Sequence, residues 1–124
     1  MRVLICGDRN WTDEGAIFKR LHRLPFDTVI IVGGARGADI LAERAARTMN
    51  RTGQKQFDIR VFPAQWETYG RAAGPIRNSQ MLDEKPHLVI AFHSNVEVSK
   101  GTKNCVLEAR RRKIDVEIIT GNEE

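Results

Sequence analysis

A chain of 124 residues with 20 Lys+Arg against 16 Asp+Glu, a net charge of +4, has room for one domain and no strong charge bias toward nucleic acid. Hydrophobic residues at 41% and charged residues at 29% are an ordinary globular mix, which excludes a disordered or collagen-like chain. No apolar run approaches the ~20 residues that span a bilayer, no leader pattern opens the chain, and Cys6 and Cys105 are too few for a disulfide framework, so a cytoplasmic protein with reduced thiols is expected.

Five apolar runs follow one another: Arg2 to Cys6, Thr28 to Val32, Ile59 to Phe62, Leu88 to Phe92 and Val116 to Ile119. They are rich in β-branched residues, and the second and fourth are nearly continuous, as strands buried on both faces of a parallel sheet are. Helical stripes lie between them. Ile17, Phe18, Leu21 and Leu24 form one, with Thr12 or Asp13 as its cap. Ala38, Leu41, Ala42, Ala45, Ala46 and Met49 form the clearest. Pro75 reads as the first residue of a third helix carrying Ile76 and Met81, and Thr102 to Lys113 reads as a fourth. This alternation predicts an α/β, doubly wound, three-layer domain of about five mostly parallel strands over residues 2–119, with 120–124 as a short frayed tail. Ligands of such sheets bind beyond the carboxyl ends of the strands, where the strand order reverses, so the loops after the first four runs are the ones to read.

The first loop, from Gly7 through Asp8 and Arg9 to Asp13, has one glycine, where a dinucleotide-binding fingerprint would need three. The second, Gly33-Gly34-Ala35-Arg36-Gly37-Ala38-Asp39, puts three glycines and an arginine ahead of the best helix. Glycine admits close backbone approach, and a helix start adds free N–H groups and a favourable dipole, so this is a phosphate cradle. No Gly-Lys-Ser/Thr follows, which excludes a P-loop, and Asp58 lies before the third strand rather than at its end, where a ribose-binding acid would sit. In the third loop Gly74-Pro75 places Arg77 in a first helical turn, an unfavourable spot for a cation that suggests an anionic partner, with Asn78 beside it. Trp66 reads as packing under this loop. Gly101 and Thr102 open the fourth helix and suit a second phosphate contact. The run Arg110 to Lys113 reads as a solvated helix end, and His22, His87 and His93 lack metal-ligand spacing. Nothing in the sequence calls for a metal or a cofactor.

The segments 7–13, 33–39, 64–67 and 70–78 with Met81, together with 89–92 and the Gly-Thr at 101–102, occur in an order that resembles the YspA, YpsA-related branch of the SLOG superfamily. That branch is carried by actinobacteria and their phages, and the superfamily also holds LOG-type phosphoribohydrolases and the DprA DNA-processing proteins. The resemblance implies a Rossmann-like domain that binds a nucleotide or nucleotide-derived molecule, such as an ADP-ribose-like compound, an NAD derivative or a cyclic nucleotide. It puts the ligand loops on Gly7, Arg9, Gly33, Gly34, Arg36, Gly37, Asp39, Arg77, Gly101 and Thr102, and Asn78, next to Arg77, is expected to bind with them. LOG-type enzymes cleave nucleoside 5′-monophosphates with an arginine, matched by Arg77, and a glutamate, whose position is held by Cys105. A thiol is a poor substitute for a carboxylate at an oxocarbenium centre, which favours a sensing or sequestering module. An N-glycosidase using Arg77 with Asp8 or Asp39 is the second reading, and nucleic-acid binding the third. A homodimer, paired through the alanine-rich second helix, is also expected.

Overall fold

The computed structural model describes residues 1–121. Five strands, β1 (Arg2–Gly7), β2 (Val29–Val32), β3 (Asp58–Val61), β4 (Leu88–Phe92) and β5 (Asp115–Ile119), form one sheet in the order β3-β2-β1-β4-β5. Every neighbouring pair is parallel, so each connection is a crossover. The chain winds outward from β1 to β3 and then returns to lay β4 against the other side of β1. The order therefore reverses between β1 and β4, and the crevice above that pair is the topological switch point.

Helices α1 (Glu14–His22) and α2 (Ala38–Arg51) cover one face of the sheet, and α4 (Ala73–Leu82) and α5 (Gly101–Arg111) the other. Alternate residues of β1 feed the two cores: Val3 and Ile5 pack with Ile17, Leu21, Ala42 and Ala46, while Leu4 and Cys6 pack with Met81, Leu82, Cys105 and Val106. The alanine stripe of α2 is thus consumed by its own sheet. Small side chains let the helix lie close to β1 and β2, with Ala38, Ala42 and Ala46 fully buried and Leu41 and Ala45 partly so.

Asp13 caps α1 by accepting from the Ala16 amide (3.0 Å), one of the two caps foreseen. The third connection is richer than the sequence suggested. A one-turn helix α3 (Trp66–Tyr69) and a 3₁₀ turn (Gly70–Ala72) run straight into α4. As a result α4 begins at Ala73, Pro75 is its third residue and Arg77 its fifth. The placement of Arg77 in a first turn, and the dipole argument drawn from it, do not hold. Proline is still accommodated, because a third helical residue has no intrahelical use for an N–H. The turn after β5 closes on the loop after β1: Gly121 has a positive φ of 84° and packs on the Trp11 ring. The remainder of the expected frayed tail, 122–124, lies outside the described residues.

Candidate functional site

Two adjoining cavities open at the carboxyl ends of β1, β2 and β4. The smaller, ≈ 480 Å³, is walled by the second loop with Arg9, Pro63, Trp66 and Arg77. The larger, ≈ 770 Å³, runs from Gly7 and Asp8 across Asp39 and Arg77 to Ser99–Thr102 at the start of α5. Arg9, Ala35, Trp66 and Arg77 line both, so the two form one crevice.

The loops are drawn together by close backbone contacts. Gly7 ends β1 where any Cβ would run into the Phe92 carbonyl and the Ala38 side chain. Gly37, at φ +78°, sits against the backbone of Asp8 and Arg9. The Asp8 carbonyl accepts from Ala38 N (3.0 Å), which ties the first loop to the start of α2. These contacts leave no room for a side chain at either position. Gly37 is the one expected ligand residue that does not line the crevice. It shapes the loop instead.

Of the expected residues, Gly7, Asp8, Arg9, Gly33, Gly34, Arg36, Asp39, Arg77, Asn78, Gly101 and Thr102 all reach the crevice. Arg36 is exposed and makes no ion pair with a described residue. Arg77 is held across loops: its Nη1 donates to the Gly33 carbonyl (2.7 Å) and its Nε to Asn78 Oδ1 (3.1 Å). Asn78, 5% exposed, spends its own amide on the Gly101 carbonyl (3.3 Å) and Asn104 Oδ1 (3.0 Å). It therefore positions Arg77 and the start of α5 rather than offering free donors. Asp39 sits in the first turn of α2, 6% exposed, accepting from Ala35 N (3.2 Å). Burial pushes its carboxyl up to about 6, against the lowering effects of the Ala35 hydrogen bond and the Arg77 and Arg9 charges.

Cys6 and Cys105 are both free and buried in the core below the larger cavity. The Cys6 thiol is pushed well above its ordinary value, first by a hydrogen bond with Cys105 and then by burial, so it is a poor nucleophile.

Three features escaped the sequence reading. Trp66 does not pack under its loop but stands 49% exposed over both cavities, with the Arg9 guanidinium 5.8 Å from its ring centre. Arg71 and Lys100 add cations to the rim of the larger cavity. His93 follows β4 directly and faces Asp8 across the switch point, Nε2 to Oδ2 4.0 Å. The register that sets Gly7 beside Phe92 brings these two together, and only the strand order reveals it.

Among known proteins, the sequence model of the YspA, cpYpsA-related SLOG family matches residues 1–69. The chain is also similar to the gene 61 protein of Mycobacterium phage D29, 38% identical over 121 residues and covering 93% of each chain.

Proposed function

Because the chain belongs to the YspA, cpYpsA-related SLOG family, we propose that it binds a nucleotide or nucleotide-derived small molecule in the crevice above β1 and β4, as a sensor or sequestering module. The observation that carries this reading is the convergence of Arg9, Arg36 and Arg77 on the glycine loop that opens α2. Three guanidinium groups, close backbone approach and the helix dipole all favour an anion at that spot, with phosphate as the group of matching size and charge. The half-exposed Trp66 supplies an apolar face at the same mouth, as a base-bearing ligand requires.

The test is mass spectrometry of a defined pool of nucleoside monophosphates, NAD, ADP-ribose and cyclic nucleotides before and after equilibration with the protein. One species falling in proportion to protein, and returning intact on denaturation, is the expected result. Arg36→Ala removes an exposed side chain with no structural partner, so it should lose about tenfold or more in affinity without a fall in thermal stability. An untouched pool, or an Arg36→Ala variant that binds as well as wild type, overturns the assignment.

Asp39 supports a second reading, an N-glycosidase acting on nucleotides. A carboxyl that titrates near 6 and borders the crevice is suited to give and take a proton at neutral pH. Free base accumulating beyond one equivalent of protein, and lost in Asp39→Asn, would establish it.

A further inference from the structure

Asp8 and His93 are the residues that turn toward each other at the switch point, and both are locked by their own loops. Asp8 Oδ1 accepts from Asn10 N (2.8 Å), which leaves Oδ2 directed across the gap. His93 Nδ1 accepts from Asn95 N (2.9 Å). A ring nitrogen that accepts an amide hydrogen carries none, so the imidazole proton is on Nε2, aimed at Asp8. The separation of 4.0 Å is too long for a direct hydrogen bond. It is the right width for one intervening oxygen: an atom about 2.8 Å from each end closes the gap at an angle of about 90°. Such an oxygen would donate to a carboxylate and accept from an N–H, which a hydroxyl does and a phosphate oxygen does not.

The charge pattern agrees. Around this point the crevice is cationic, through Arg9, Arg71, Arg77 and Lys100. Asp8 has no Lys or Arg partner among the described residues, so it is a carboxylate set among groups that favour anions. A carboxylate at that place repels phosphate and discriminates for neutral hydroxyls.

From this geometry we infer that Asp8 and His93 form a sugar-hydroxyl subsite, which selects ribose over a sugar lacking its 2′- and 3′-hydroxyls. The inference rests on the nucleotide reading above and assigns that ligand's sugar to the β1–β4 gap, with its phosphate on the glycine loop.

The experiment compares the tightest-binding ribonucleoside 5′-monophosphate with its 2′,3′-dideoxy counterpart by calorimetry. Wild type should prefer the ribonucleotide by about tenfold or more. Asp8→Ala should weaken the ribonucleotide to the level of the dideoxy form and leave the dideoxy form unchanged or tighter. His93→Gln, on a different element, should narrow the preference in the same direction. If wild type binds both forms within about twofold, or if Asp8→Ala weakens both equally, the sugar subsite is wrong while the nucleotide reading stands. If no monophosphate of either kind binds wild type, the nucleotide reading fails for this class and the inference falls with it.

Discussion

Gly33 and Asp39 show how much of the site depends on single atoms. A Cβ at Gly33 would meet the Arg77 guanidinium, with its Cζ 2.8 Å away, and Asp39 Oδ2 at 2.9 Å. The guanidinium is the far end of a flexible side chain, so it would yield before the backbone did. Gly33→Ala is therefore expected to cost about 1 kcal/mol of stability, from the lost bond to the Gly33 carbonyl. It should cost about tenfold in nucleotide affinity, because Arg77 is turned away. Equilibrium urea unfolding and calorimetry separate the two effects, and unaltered affinity would show that Arg77 does not touch the ligand. Asp39 makes the opposite trade. Its carboxyl titrates at about 6 in the folded chain against 3.8 in the reference state. Between those values the native protein holds a proton that the unfolded chain has released, so stability falls as pH rises and levels off above about 6. The difference corresponds to about 3 kcal/mol. Asp39→Asn keeps an acceptor for Ala35 N and removes the buried charge. It should be more stable than wild type at pH 8 by about 1–3 kcal/mol, with the gain vanishing near pH 4. A variant no more stable than wild type at pH 8 would mean that the carboxylate is compensated by its arginine neighbours. A phosphate bound nearby opposes the ionised form, so the affinity of wild type relative to that of Asp39→Asn should rise as pH falls through about 6.

The loops owe their positions to elements that meet at glycine. Gly37 combines a positive φ of 78° with backbone atoms of Asp8 and Arg9 where a Cβ would stand. No side-chain movement relieves that contact. Gly37→Ala should lose about 2–4 kcal/mol in urea unfolding, well beyond the cost expected at Gly33, because the first loop and the start of α2 must part. Equal costs at the two glycines would contradict the close packing of these loops. The strands and the main helices were readable in the sequence, since buried runs such as Thr28–Val32 and stripes such as Ala38–Met49 carry their periodicity openly. The position of the glycine loop was readable for the same reason, since it lies where β2 gives way to α2, whereas Arg77 reaches the crevice from the second turn of α4 and not from the first turn expected for it. The one-turn α3 was not readable: four residues give no period, and Trp66 and Tyr69 are half-exposed rather than core. Pro75 drew the start of α4 two residues late, because a proline is as acceptable at the third helical position as at the first. The pairing of Asp8 with His93 depends on β4 returning to β1 across 85 positions, which no local pattern encodes.

At the scale of the whole molecule, β1 decides whether the domain can be divided. It is the central strand, paired with β2 on one side and β4 on the other, and its alternating residues enter both cores. Residues 1–69, the stretch matched by the family model, hold β1, β2, β3, α1 and α2 but only one of the two helical layers. In that fragment Leu4, Cys6 and Ile31, each buried in the full chain, lose Met81, Leu82, Val89, Ala91, Cys105 and Val106 as neighbours. The other face suffers as well, since Ile90 and Phe92 leave the cluster that holds Trp11. Uncovering both layers removes more apolar burial than a small domain's net stability can absorb. The fragment 1–69 should therefore show no cooperative unfolding transition. The full chain should unfold in a single step, with Trp11 fluorescence in a Trp66→Phe background and far-ultraviolet circular dichroism giving the same urea midpoint. Separate midpoints, or a cooperative transition in the fragment, would mean that the two sides of β1 fold independently. The crevice would then be an interface between two units, and ligand binding would close it rather than fill a formed site.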